Sequence, residues 1–293
     1  MSEYKIHENC RDNDQLRTMF YDCIKAVFPG IDFKTWHDRG FWTEHYIPHA
    51  IVRDNKMIAN VSASTMNIIL NGQKVRGVQI GTVATLPEFR NQGLSRYLME
   101  YVLHKYDDTT DLFFLFANET VLDFYPKFGF KRYDEVVFKT TAGLPSADYS
   151  ARKLSVDSDD DIALIRRLLA DRLPLTALFG AVDYDFITWW HILNIFPDKL
   201  YYLPDNDILF IISEKDDQLH IWDIVFTKPF DLIPAISQVI QSDSLKSVRY
   251  YFAPDRLGFE YTDTEPCPDS PLFVRGAFDP GAPRFKLPLT AQT

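Results

Sequence analysis

Three short segments hold the residues whose types and spacing could do chemistry together. The first runs from Val83 to Ser95 (V-A-T-L-P-E-F-R-N-Q-G-L-S). A strand ends at Pro87, which cannot donate to a ladder, and the chain then enters a helix through Arg90-Asn91-Gln92-Gly93-Leu94-Ser95. A helix N-terminus carries unpaired N–H groups and a partial positive charge, a setting that suits a pyrophosphate. Gly93 lets backbone approach phosphate oxygens without a Cβ in the way, and Arg90 adds a forked cationic donor. The second segment places Asn118 and Tyr125 seven residues apart, which is two turns on one side of a short helix. The third, Phe128-Gly129-Phe130, follows directly. Each also has a plainer reading: an ordinary strand-to-helix turn, a helix cap, a half-buried phenol and a C-capping glycine.

These segments need strands and helices to hold them, and the flanking pattern supplies both. Apolar residues at Leu16, Met19, Phe20, Cys23, Ile24 and Val27 predict a helix from Asn13 that stops at Pro29-Gly30. An aromatic stretch (Phe33, Trp36, Phe41, Trp42, Tyr46) predicts a short helix and loop. Residues 50–53 and 57–70 read as strands, Asn71-Gly72 as a hairpin turn, and residues 75–85 as a further strand. A helix over 92–105 precedes 111–117, an apolar run with the look of a strand buried on both faces. A short helix over 119–127 and a strand pair ending at Thr140 complete the unit, and residues 140–152, small and polar, read as a linker.

Bulk composition sets the limits. The 293 residues, 46% of them hydrophobic, leave room for about two domains. A net charge of −10 argues against a nucleic-acid partner and agrees with a cationic acceptor. Three widely spaced cysteines without a C-x-x-C pair indicate neither a zinc site nor a disulfide framework. The polar N-terminus lacks a signal core, and no apolar run approaches the ~20 residues of a membrane span. The expectation is a soluble cytoplasmic protein with no metal, membrane or nucleic-acid role.

In this order and spacing, the three segments resemble the GCN5-related N-acetyltransferase (GNAT) superfamily. Its pyrophosphate signature, Q/R-x-x-G-x-G/A, is matched by Arg90 and Gly93, with Ser95 departing from the usual Gly or Ala. Its later pattern, an Asn followed seven residues on by Tyr and then by Gly-Phe, is matched by Asn118, Tyr125, Gly129 and Phe130. The wording R-N-Q-G-L-S and T-L-P-E-F-R leans to the enhanced-intracellular-survival branch of aminoglycoside acetyltransferases. That branch has a three-domain plan longer than this chain, so no substrate is carried over. The resemblance covers about residues 13–140.

It implies a mixed α/β GNAT fold over residues 1–142 and acetyl-CoA as cosubstrate. The acetyl group would pass by direct attack to an amine of a small molecule or peptide. Val83, Ala84, Thr85, Arg90, Asn91, Gln92, Gly93, Leu94, Ser95 and Asn118 would bind the cofactor. A backbone N–H near Val83 or Ala84 would polarise the thioester carbonyl, and Tyr125 would be the general acid. The family often places a basic Glu on the central strand, where this chain has Gln79, Gly81 and Thr82. Glu44, His45, Glu119, a chain of waters and the terminal carboxylate of Thr293, which the branch is thought to use, stay open as the base. Trp36, Phe41, Trp42 and Tyr46 either wall a cation-binding acceptor pocket or cover the sheet as core. The alternative function class is a non-catalytic acyl-CoA-binding or regulatory protein.

Residues 153–293 repeat the element order in weaker form. A helix follows the Asp157-Ser158-Asp159 cluster and another covers 184–195. A hairpin (208–213 and 219–226), a helix (229–241) and strands at 248–252 and 272–278 come next. Leu257-Gly258-Phe259 sits where Phe128-Gly129-Phe130 sits in the first half. The phosphate turn is replaced by Thr227-Lys228-Pro229-Phe230-Asp231, without glycine and with an acid near the helix start, which would repel a pyrophosphate. The expectation is a degenerate GNAT-like or accessory α/β domain that closes the acceptor pocket or mediates self-association. Trp189, Trp190, His191 and Trp222 would be either pocket walls there or core.

Overall fold

The computed structural model describes residues 4–8, 10–141, 145–258, 261–267 and 271–293. After β1 (Ile6–His7), helix α1 (Asp14–Val27) opens where the Asn13 side chain accepts from the Leu16 N–H, and it buries Phe20, Cys23 and Ile24. The aromatic stretch yields α2 (Lys34–Asp38). β2 (Tyr46–Arg53), β3 (Lys56–Leu70) and β4 (Gln73–Thr85) then form an antiparallel meander. Its tight turn holds Asn71 at φ 48° and Gly72 at φ 74°, the double positive φ that Asn-Gly tolerates. α3 (Leu94–Tyr106) returns the chain to β5 (Leu112–Phe116), which lies parallel to β4 and is buried over its first four residues. β6 (Lys131–Tyr133) and β7 (Val136–Thr140) follow.

One local expectation fails here. Residues 119–127 form no continuous helix but two 3-10 turns, Glu119–Val121 and Tyr125–Phe128. Pro126 has no N–H with which to continue an i→i−4 ladder, so the run breaks beside it.

The second half brings β8 (Arg152–Lys153) and α4 (Asp159–Ala170), whose N-cap Ser158 accepts from the Asp161 N–H. β9 (Phe179–Val182), α5 (Asp185–Asn194) and β10 (Leu200–Leu203) lead to the hairpin of β11 (Ile208–Lys215) and β12 (Gln218–Phe226). α6 (Leu232–Val239), shorter than its sequence pattern, precedes β13 (Ser247–Tyr250), β14 (Asp263–Pro266) and β15 (Leu272–Gly276). Part of the linker, residues 142–144, and Phe259 of the Leu-Gly-Phe piece lie outside the described residues.

Two sheets result, and they share one plan. The first runs β1-β2-β3-β4-β5-β15-β6, with β9 added beside β3; the second runs β8-β10-β11-β12-β13-β7-β14. Among the described residues each has a single parallel pair, β4 with β5 and β12 with β13, between antiparallel neighbours. The expected pairing of β6 with β7 is absent among the described residues, because each sheet takes its penultimate strand from the other half. β15 lies between β5 and β6, and β7 lies between β13 and β14. Glu135, between β6 and β7, is buried and accepts from the Leu287 N–H at 2.7 Å and from the Lys286 ammonium at 3.1 Å. At the far end of β15, Gly276 passes so close to β5 that a Cβ would stand 2.7 Å from the Asp111 carbonyl oxygen. The main hydrophobic core spans the first sheet and reaches Leu209, Ile211 and Val225 of the second.

Candidate active site

The parallel pairing of β4 and β5 is confined to Gly77–Gln79 against Leu112–Phe114. Past that point the two strands separate. β4 also carries a bulge opposite Asn60 and Ser62, with Thr82 in the left-handed region at φ 43°. A cavity of about 830 Å³ opens there, bordered by residues 80–83 and Thr85 on one side and Phe116 and Asn118 on the other. Strand edges that part in this way present main-chain N–H and C=O groups to a ligand rather than to each other.

The phosphate turn borders the same cavity through Arg90, Asn91, Gly93, Leu94, Ser95 and Arg96. Gly93 is the N-cap of α3 at φ 78°, a conformation costly for other residues, and no side chain caps the helix there. The first N–H groups of a thirteen-residue helix therefore face the cleft without a capping partner, which is the donor set a phosphate takes. Arg90 Nε donates to the Thr85 carbonyl at 3.2 Å, folding the guanidinium over the strand end. The Ser95 hydroxyl lies 2.8 Å from that of Thr85, so the departure from Gly or Ala ties the helix to the strand.

Tyr125 also lines the cavity and is otherwise enclosed by Phe124, Phe130 and Phe273, at ring distances of 5.3, 6.3 and 5.8 Å. Burial disfavours the phenolate and pushes its pKa up to about 12, so the hydroxyl keeps its proton at neutral pH. One of its three ring partners, Phe273, belongs to the exchanged strand β15. Asn118 borders the cavity while its side chain accepts from the Thr120 N–H at 2.9 Å, so the capping reading holds as well.

Of the ten residues expected to hold the cofactor, Val83, Thr85, Arg90, Asn91, Gly93, Leu94, Ser95 and Asn118 line this cavity. Ala84 is fully buried in the core, and Gln92 is exposed outside the lining. Glu44, His45 and Glu119 are exposed and lie off the cavity, with Glu44 paired to Arg11 at 3.1 Å and His45 bonded to Thr65 at 3.0 Å. The aromatic cluster is core: Trp36 stacks on Trp42 at 5.4 Å and donates to the Phe186 carbonyl, while Phe41 stacks on Trp189 at 3.9 Å. None of Trp36, Phe41, Trp42 and Tyr46 lines the cavity.

Thr293 lines the cavity as well. Gln79 is fully buried, accepts from the Thr293 N–H at 2.5 Å and hydroxyl at 2.8 Å, and donates to the Ala291 carbonyl at 2.8 Å. At Gly81 a Cβ would lie 2.6 Å from the Thr293 hydroxyl, so glycine makes the room this residue occupies. Further back, the Thr290 hydroxyl donates to the buried Asp223, which also pairs with Arg172 at 2.7 Å. His191 Nε2 meets the Gln292 carbonyl at 2.7 Å, and burial lowers the His191 pKa to about 4, which keeps the ring neutral. In the sequence, Gln79 and Gly81 stand out only by the absence of a glutamate there. The grip on Thr293 links residues 212 to 214 positions apart and leaves no local pattern.

Residues 14–133 match the family model described as an acetyltransferase (GNAT) domain. This stretch is a GNAT acetyltransferase domain. Whole-chain likenesses to solved structures extend the GNAT fold across both halves. A GCN5-related N-acetyltransferase from Kribbella flavida has 16% identity and a TM-score of 0.58, over 92% of this chain and 71% of that one. Eis1 from Mycobacterium abscessus has 14% identity and a TM-score of 0.60, over 92% and 73%. An Enterococcus faecalis V583 protein described as a "Probable N-Acyltransferase" has 15% identity and a TM-score of 0.62, over 94% and 72%. No curated protein sequence matches the chain. No helix among the described residues is long and apolar enough to cross a membrane.

Proposed function

We propose that the chain is an acetyl-CoA-dependent N-acetyltransferase in which an amine attacks the thioester directly and Tyr125 is the general acid. The observation that carries this reading is that an uncapped helix N-terminus, a splayed strand edge and a protonated phenol border one cavity. The N–H groups opening α3, with Arg90, would hold the pyrophosphate. The free edge of β4 at Val83 and Thr85 would take the amide groups of the pantetheine arm as an added strand. Bound there, the cosubstrate supplies an activated acetyl group.

As the new C–N bond forms and the C–S bond breaks, the Tyr125 hydroxyl gives its proton to the departing sulfur. Thr293, held by Gln79 in the room left at Gly81, would wall the acceptor space, and the proton that the amine loses would pass to solvent. His191 of α5 and Asp223 of β12 then serve as positioning residues for residues 290–293.

Free-thiol release from acetyl-CoA, followed with and without a panel of amines, tests the reading. Amine-dependent release is expected. Tight acetyl-CoA binding with no release would instead support a non-catalytic sensor, and release without amine a hydrolase.

A further inference from the structure

We infer that the acceptor carries one amine on an apolar body and no second cationic group. This rests on the acetyltransferase reading and names its substrate class. The protein as a whole is acidic, at net charge −10, but its cavity is not. Three cationic side chains, Arg90, Arg96 and Lys127, line it, and no aspartate or glutamate side chain is among the described lining residues.

Two of those cations, Arg90 and Arg96, flank the turn that suits a pyrophosphate. Away from that turn most of the lining side chains are apolar, with Thr82, Asn118, Thr120 and Lys127 set among them. Val27, Phe28 and Ile31 come from the end of α1 and the segment after it, and Ile80, Phe116 and Phe124 come from the sheet and the turn before Tyr125. Thr293 stands among them.

An amine enters this space in its neutral form, because no described side chain of the lining is acidic. A second ammonium on the same molecule would be desolvated against hydrocarbon or held near like charge, and neither offers it a partner. The aromatic cluster that could have served as a cation cage is closed core and offers no face to the cavity. An apolar body, by contrast, fills the walls and removes both surfaces from water.

The test uses the full chain with acetyl-CoA and three acceptors: phenethylamine (one ammonium on an aromatic body), spermidine and kanamycin. The kcat/KM for thiol release with phenethylamine is expected to exceed both others by at least 10-fold. The gap should narrow in Val121→Glu, which adds a carboxylate at a half-open point of the cavity wall. Equal or faster turnover of spermidine or kanamycin by the unaltered chain overturns this inference and leaves the acetyltransferase reading standing. No release with any of the three, from protein that binds acetyl-CoA by calorimetry, overturns both.

Discussion

The two sheets follow one strand order, yet the openings beside their parallel pairs hold different things. Beside β4 and β5 lies a cavity whose edge is free and whose following turn contains a glycine at positive φ. In the second sheet, the final stretch of chain runs along the residues just past β13. The Ala253 N–H donates to the Lys286 carbonyl at 3.3 Å, and the Leu289 N–H donates to the Tyr251 carbonyl at 3.0 Å. Across from them, Asp223 of β12 holds Thr290. The turn that follows β12 puts Asp231 at the N-cap of α6, and a smaller hollow of about 490 Å³ beside it has that acid in its wall. The shared strand order supplies an opening; the residues after the strand decide whether it stays open as a cavity or is filled by the chain itself.

The comparison can be broken at several points. Tyr125→Phe removes the proposed acid and should lower kcat by ~10²-fold or more while acetyl-CoA still binds; steady-state kinetics beside calorimetry would separate the two, and undiminished turnover would end the assignment. Gly81→Ala displaces Thr293 without deleting it, and a roughly 10-fold loss in kcat with little change in the KM for acetyl-CoA is expected. Gly93→Val forces a β-branched residue to φ 78° at the phosphate turn, where strain of about 1–2 kcal/mol corresponds to roughly a 10-fold weaker acetyl-CoA affinity. The matched change in the other sheet, Asp231→Ala, should leave that affinity unaltered. A comparable loss there would mean that the second turn also takes part in cofactor binding.

The smallest effect concerns pH. Unfolded, His191 takes a proton near 6.5; folded, it resists until about 4. The unfolded chain therefore binds more protons between those values, and the contribution of this group to stability is present above pH 6.5 and lost progressively toward pH 4. Melting temperature measured across that window should fall less steeply for His191→Gln than for the unaltered chain. Identical slopes would remove His191 from the account.

How much of this was legible beforehand depended on the range of each interaction. Periodicity and turn chemistry are local, so α1 with its Asn13 cap, the Asn71-Gly72 hairpin and the turn into α3 could be read directly. Tyr125 was legible by type and spacing although the helix drawn for it was not, since Pro126 broke the ladder. The membership of β7 and β15 was illegible because both are short apolar strands that fit either sheet equally well by pattern. Their choice is made by contacts such as Phe273 on Tyr125 and Glu135 on Leu287, between residues far apart in the chain.

The exchange of β7 and β15 also has a bearing on how the protein is made. While the chain leaves the ribosome, β5 (Leu-Phe-Phe-Leu-Phe) must wait for a neighbour encoded far downstream in the message. Until Leu272–Gly276 emerges, that apolar edge is open to pairing with any other nascent strand, which is an aggregation hazard. Neither half can complete its sheet alone, so the first sheet stays unfinished until the second half has been made.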